Sequence, residues 1–118
     1  MKNPDQLSDE AILTLAQERI RDPAHWTQHT LARDRLFREV APNSPEAVSF
    51  CAAGAIANVL GVAVPTQGGS RFHSLWERLS SYPPVRSTDW RSPAHYNNSR
   101  SHAEVMAMFD WTRKQVSV

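Results

Sequence analysis

Four segments of the chain carry hydrophobic residues at the spacing of an amphipathic helix. They begin at Ser8, Ser44, Ser70 and Ser101 and extend to about residues 21, 60, 79 and 112. A serine at each start can accept a hydrogen bond from a free backbone N–H group of the first turn. Ser101 and Glu104 also have the spacing of a capping box. The pattern predicts a mainly α fold, a compact bundle of about four helices.

The segment 44–60 is predicted to be the buried central helix. Ser44, Pro45 and Glu46 combine a hydroxyl N-cap, a proline at the first helical position and a carboxylate in the first turn. The following residues are apolar on most of the helix circumference, which indicates that other elements surround it. Gly61 provides the stop signal. We expect Cys51, about two turns into this helix, to be buried with it.

Two segments have no decisive period. In residues 27–40 the apolar positions fit either a helix or two short strands that turn near Asp34, and a short β-hairpin near 29–40 is favoured. Residues 80–100 are rich in proline, serine and asparagine, and they contain Pro83, Pro84 and Pro93, which do not fit a helix interior. We therefore expect one long loop here, and such loops often carry function.

Composition limits the classes of function. A chain of 118 residues is long enough for one domain, residues 1–118, with its own core. The formal net charge of +1 gives no overall attraction to nucleic acid or anionic lipid. The single cysteine excludes an internal disulfide, and the charged N-terminal segment does not resemble a signal peptide. These features predict a cytoplasmic protein that does not bind membranes.

Cys51 is the candidate for nucleophilic chemistry. A lone cysteine with His95 or His102 as its base would give a small hydrolase or transferase. A cysteine well inside an apolar helix, however, receives little help from the helix dipole in becoming a thiolate, and free cysteine is commonly buried. A structural role is the favoured interpretation, and the enzyme remains the alternative.

A metal site is not expected. His25 and His29 have the spacing that lets two imidazoles bind one metal on a helix face. The chain lacks the accompanying glutamate of the zincin pattern, and one cysteine is too few for a closed structural zinc site. We predict neither a metal nor any other cofactor.

The loop 80–100 contains the best candidate for partner recognition. Arginines and aromatic residues alternate there at Tyr82, Arg86, Trp90, Arg91, Tyr96 and Arg100. Such residues form the hot spots of protein interfaces, and they also bind the phosphates and bases of single-stranded nucleic acid. A protein partner is favoured over nucleic acid. The structural alternative is that Trp90 and Tyr96 fold back to cover the core while the arginines remain solvated.

Several short motifs resemble a known family. They are His-Trp-Thr-Gln at 25–28, Ala-Arg-Asp at 32–34, Ala-Val-Ser-Phe-Cys-Ala-Ala-Gly-Ala at 47–55, Tyr-Asn-Asn at 96–98 and Ser-His-Ala-Glu-Val-Met-Ala at 101–107. Together they resemble a family of small bacterial and phage domains of unknown function with Trp-x-Gln-Gly, Cys-x-x-Gly-Ala and Trp/Tyr-Asn-Asp motifs. The chain departs from that pattern with His29 at the glycine and Asn98 at the aspartate.

The resemblance implies that Trp26, Cys51, Gly54 and Asn97 belong to one structural unit, in which Asn97 satisfies backbone groups. It implies no activity, and Asn98 in place of a carboxylate weakens an acid/base or metal role for that segment. With no complete catalytic set, we expect a non-enzymatic protein-binding or regulatory module. The resemblance suggests a bacterial or phage accessory protein, such as an inhibitor of a host defence system.

Overall fold

A computed structural model describes residues 6–87 and 92–116 of the chain. These residues form six α-helices and two short strands: α1 Asp9–Arg19, β1 Ala32–Arg33, β2 Ser49–Phe50, α2 Ala52–Leu60, α3 Gly69–Ser80, α4 Pro83–Arg86, α5 Pro93–Ser99 and α6 His102–Val116. Single 3₁₀ turns occupy Pro23–His25 and Pro65–Gly68. The mainly α fold predicted from the hydrophobic pattern is confirmed.

The helix α2 lies at the centre of the fold. Its residues from Ala52 to Ala57 are all buried, and it packs against α1, α3 and α5. The helix α6 crosses α1, α3 and α5 and contributes Val105, Met108 and Phe109 to the core. Small side chains along the first half of α2 allow its neighbours to approach closely.

The central helix begins at Ala52, and the predicted start at Ser44 is wrong. Ser44 does form a turn, in which its hydroxyl accepts the amide of Glu46. The helix does not continue from that turn, because the amides of Val48 and Cys51 donate to the carbonyls of Arg33 and Leu31. A local start signal is therefore overridden by pairing with a distant strand.

The predicted turn near Asp34 is present, but the main strand pairing is with a later segment. β1 pairs antiparallel with β2, with Ala32 opposite Phe50 and Arg33 opposite Ser49. A single antiparallel bridge also joins Arg33 to Glu39 across the turn. The hairpin near 29–40 is thus reduced to a tight turn that projects from a small sheet closed by β2.

The predicted long loop 80–100 contains two helices, which corrects the sequence interpretation. Pro83 and Pro93 occupy the first positions of α4 and α5, where a missing N–H group costs no helical hydrogen bond. Ser92 caps α5 through its hydroxyl, which accepts the amides of Ala94 and His95. The predicted partner residues Trp90 and Arg91 lie outside the described residues.

Within residues 6–87 and 92–116, none of the helices combines the length and the apolar character that crossing a bilayer requires.

Candidate functional site

The side chain of Asn97 joins three segments that are distant in sequence. Its Oδ1 accepts hydrogen bonds from Trp26 Nε1 at 2.8 Å and from the amide of Ala52 at 3.1 Å. Its Nδ2 donates to the carbonyl of Thr27 at 3.2 Å. Asn97 is 1% exposed, so these bonds form where water cannot replace them. The Ala52 amide is one of the free N–H groups at the start of α2, and Asn97 satisfies it.

A second set of polar contacts surrounds Asn97 at the surface. Gln28 Nε2 donates to the carbonyls of Asn97 and Arg100, at 3.0 and 3.2 Å. Asn98 Oδ1 accepts the amide of His29 at 2.8 Å. His29 has a φ of 71°, in the left-handed region that favours glycine. This backbone conformation explains why glycine suits this position of the Trp-x-Gln-Gly motif.

Gly54 is the point where α2 touches the segment that leads into β1. A Cβ atom added to Gly54 would lie 1.8 Å from the carbonyl oxygen of Leu31 and 2.7 Å from its carbonyl carbon. The same oxygen accepts the amide of Cys51 at 3.2 Å. The Cys-x-x-Gly spacing therefore places two groups against the Leu31 carbonyl. The amide of Cys51 donates to it, and the Cα of Gly54, which carries no side chain, lies close to it.

Cys51 is the N-cap of α2, whereas the sequence predicted a position about two turns inside a helix. Its Sγ accepts the amide of Gly54 at 3.3 Å, the contact that serine or aspartate makes at other helix starts. The residue is 9% exposed. Burial raises the pKa of the Cys51 thiol, and the nearby amides oppose that shift. The environment thus favours an unreactive thiol that caps a helix.

Alkylation tests this structural role of Cys51. We expect iodoacetamide to label the native protein at least about a hundredfold more slowly than the denatured protein, because labelling requires opening of the core. Mass spectrometry of samples quenched over time, with and without guanidinium chloride, gives the two rates. Native labelling at the denatured rate would contradict the buried cap and restore the nucleophile.

His102 and His95, the two candidate bases for Cys51, lie in different environments. The Nε2 atom of His102 lies 2.6 Å from the carbonyl oxygen of Ile20, at the end of α1. Its ring packs edge-on against Trp26, with ring centroids 5.5 Å apart. His95 is exposed on α5. In the part of the chain that the structure describes, no group of three or more histidine, cysteine or carboxylate side chains is arranged to hold a metal.

Of the aromatic residues predicted for partner recognition, the structure describes Tyr82, which is half-buried, and Tyr96, which is buried. Tyr96 is 4% exposed, and Tyr82 packs edge-on against it with ring centroids 6.0 Å apart. Tyr82 also contacts Trp111 of α6. Arg100 lies over the Tyr96 ring at 5.6 Å, and Arg86 is exposed. Tyr96 therefore cannot stack on a base or enter a partner in this conformation, and its burial agrees with the structural alternative for this residue.

The turn 33–38 was predicted near Asp34, but the sequence interpretation did not identify its exposed surface as a candidate site. Asp34 Oδ1 accepts the amides of Leu36 and Arg38, both at 2.9 Å, and its Oδ2 accepts Arg38 Nε at 2.8 Å. The backbone closes the turn through Asp34 N to Arg38 O and Phe37 N to Asp34 O. The amide of Arg38 foremost, together with the guanidinium group, holds the pKa of Asp34 below its ordinary value. One carboxylate thus fixes the whole turn.

This turn presents two large apolar side chains to solvent. Leu36 is 71% exposed and Phe37 is 69% exposed; these two residues are called the apolar tip below. Phe37 has a φ of 65°, a left-handed conformation that costs about 1–2 kcal/mol for a residue other than glycine. The guanidinium of Arg33 lies 4.2 Å from the centre of the Phe37 ring. Strain and exposure therefore coincide at one aromatic residue.

Leu36 of the apolar tip lines a groove of about 560 Å³, called the turn groove below. Its residues come from the turn and from the segment that precedes β2, and they are Asp34, Arg35, Leu36, Arg38, Pro45, Glu46 and Val48. The side chain of Val48 is also exposed. Apolar groups and guanidinium groups therefore lie side by side on one open surface.

The sequence contained a signal for this turn that the interpretation did not use. Asp34 precedes two residues whose amides it caps, which is the Asx-turn geometry that aspartate commonly forms. Leu36 and Phe37 are among the apolar positions of residues 27–40. Their exposure could not be predicted, because periodicity does not distinguish a core residue from an exposed one.

Comparison with known proteins gives one family match. The model of a family of unknown function, DUF6197, matches residues 4–115. No curated protein and no solved structure matches the chain. The match agrees with the resemblance to a family of unknown function that the sequence motifs suggested.

Proposed function

We propose that this chain, which belongs to the family of unknown function DUF6197, is a non-enzymatic module that binds a partner protein through the apolar tip. The observation that supports the proposal is the rigid presentation of Leu36 and Phe37 to solvent on a turn fixed by Asp34. A role as a bacterial or phage accessory protein is compatible with this proposal.

Rigidity matters because binding must offset the entropy of ordering side chains and loops. Each flexible side chain that becomes fixed in an interface costs about 0.5–1.5 kcal/mol. Here three hydrogen bonds accepted by the Asp34 carboxylate and the contact of Arg33 with Phe37 hold the turn before any partner arrives. The left-handed φ at Phe37 allows the turn to close, but the exposure of two apolar side chains has no evident structural return. Backbone strain of the kind at Phe37 typically occurs at functional sites.

The other candidate functions have weaker support. The thiol of Cys51 is buried and caps α2, which does not favour a hydrolase or transferase. Nucleic-acid binding through 82–100 would need accessible aromatic rings, and Tyr96 packs in the core. The proposal therefore moves partner recognition from the segment 82–100 to the turn 33–38.

Paired variants test the apolar tip. We expect the double variant Leu36→Ser, Phe37→Gly to lose at least about tenfold of its capture of a specific partner from a lysate of the producing cells, because truncated hot-spot residues cost about 2 kcal/mol or more. Glycine at position 37 relieves the left-handed strain, so the fold should be retained. Quantitative mass spectrometry of the captured proteins measures the loss.

Val64→Ser is the matched control for that measurement. Val64 is also an exposed apolar residue, but it follows the C-terminal end of α2 and does not line the turn groove. Capture should be unchanged in this variant. If the double variant captures every protein as well as the wild type does, while its thermal unfolding is also unchanged, the apolar tip is not a binding site.

A further inference from the structure

We infer that the turn groove binds an acidic peptide segment of the partner, in which carboxylates flank an apolar anchor residue. This inference rests on the proposed function, because it uses the same turn. It adds the chemistry of the partner, which follows from the charges that line the groove.

The turn 33–38 is cationic towards solvent although its sequence contains an acidic residue. Three of its six residues are arginines, and Asp34 is the one carboxylate. Asp34 is buried, and both of its oxygens are engaged within the turn. The negative charge of Asp34 is therefore satisfied by hydrogen bonds within the turn. Arg35 and Arg38 remain exposed beside the apolar tip.

The two arginines can meet carboxylates of a partner. The hydrogen bond from Arg38 to Asp34 uses Nε, which is one of the five donors of a guanidinium group. Among the described residues, no hydrogen bond or ion pair involves the side chain of Arg35. A guanidinium group binds a carboxylate through two parallel hydrogen bonds, so Arg35 is suited to a charged partner group.

The segment that precedes β2 gives the interaction a direction. It lines the groove with Pro45, Glu46 and Val48, of which Glu46 is the charged residue. A peptide in the groove would therefore place its carboxylates towards Arg35 and Arg38 and away from Glu46. Its apolar anchor would contact Leu36 and Val48, which line the groove. A basic peptide would meet the two arginines and be repelled.

The size of the groove indicates a short segment rather than a broad interface. A volume of about 560 Å³ lies in the range of ligand pockets, which is about 300–1,000 Å³. An interface confined to this surface is smaller than those of stable complexes, so we expect transient binding that weakens as salt screens the arginines.

Selection from a phage-displayed library of random peptides tests the chemistry directly. The library is selected on the wild-type protein, and the peptides that also bind the variant Leu36→Ser, Phe37→Gly are discarded. We expect the remaining peptides to be rich in aspartate and glutamate next to leucine, methionine or an aromatic residue. Affinities of synthetic copies are then measured by fluorescence anisotropy.

Substitution of Arg35 provides the charge test on those synthetic peptides. We expect Arg35→Glu to weaken binding about tenfold or more, and Arg35→Lys, which keeps the charge but loses the two parallel hydrogen bonds, to weaken it less. Remaining peptides without acidic enrichment, or with equal affinity for wild type and Arg35→Glu, would overturn the acidic partner and leave the proposed function standing. If no peptide depends on the apolar tip, the acidic peptide partner is overturned, and the capture experiment with the same double variant decides the proposed function separately.

Discussion

Gly54→Ala is expected to lower the free energy of unfolding by about 3 kcal/mol or more, the upper range for overpacking at a closed site. The added Cβ would lie 1.8 Å from the Leu31 carbonyl oxygen, a contact that only a shift of backbone can relieve. Such a shift would also break the hydrogen bond from the Cys51 amide to the same oxygen. Chemical denaturation followed by circular dichroism measures the change.

Gly61→Ala separates steric overlap from glycine's conformational freedom. Gly61 has a φ of 75° at the end of α2, and a Cβ there would meet nothing within 4 Å. We expect a loss of only about 1 kcal/mol, which is the cost of a left-handed alanine. A Gly54→Ala variant that loses no more than Gly61→Ala would show that α2 and the segment before β1 are not in the close contact described.

The sequence predicts the helices best where local signals and packing agree. Ser8 caps α1 through the amide of Ala11, and Glu104 and Ser101 form the reciprocal bonds of a capping box at α6. Gly61 ends α2 as expected, in a left-handed conformation. At each of these positions the cap residue acts on its own helix, so a reading of neighbouring residues is sufficient.

The same local signals fail where a distant segment competes for the backbone. Ser44 and Pro45 indicate a helix start, but the amides that would continue it pair with Leu31 and Arg33. This pairing depends on where residues 31–33 lie in space, which periodicity does not contain. At Pro83 and Pro93 the error is of another kind, because the prolines were treated as helix breakers when they stand at first helical positions.

The candidate binding surface was missed for a related reason. Leu36 and Phe37 are apolar, and a pattern of apolar residues is usually assigned to the core. Their exposure follows from the Asp34 turn, which directs the chain away from the sheet formed by β1 and β2. Conversely, tyrosine is a residue type that is common in interfaces, but Tyr96 is buried and packs against Tyr82. Residue type alone does not show which of these apolar and aromatic side chains are exposed and which are buried. The fold shows it.

The motif residues and the exposed apolar tip therefore belong to two separate clusters. Asn97, Gly54 and Cys51 hold the start of α2 against the segments that carry Trp26 and Leu31. β1 continues directly from Leu31 into the turn 33–38. The buried cluster therefore stabilises the segment that leads into the turn with the apolar tip. We expect substitutions in this cluster to lower the free energy of unfolding more than the affinity for a partner.

Asn97→Ala is the variant that tests this support, and we expect it to lower the free energy of unfolding by about 3–5 kcal/mol. It removes the acceptor for the Ala52 amide and for the indole N–H group of Trp26, and the donor to the Thr27 carbonyl. Each buried polar group left without a partner costs about 1–3 kcal/mol. Water is a poor substitute because Asn97 is 1% exposed.

Asn98→Ala is the matched control, since it removes the same amide group one residue later. Asn98 is partly exposed, and its Oδ1 accepts the amide of His29 and the Nδ2 of Asn97. Water can replace much of what is lost there, so we expect a cost of about 1 kcal/mol. Equal losses in the two variants would contradict the central role of Asn97.

A double-mutant cycle with Trp26→Phe assigns the loss to a particular bond. Trp26→Phe removes the indole N–H group that donates to Asn97 Oδ1 at 2.8 Å. If that bond stabilises the fold, Trp26→Phe costs about 1 kcal/mol less in the Asn97→Ala background than in the wild type. Additive losses would mean that Trp26 acts by packing alone. In either background, peptides selected on the apolar tip should bind the folded fraction with unchanged affinity, because Asn97 lies outside the turn groove.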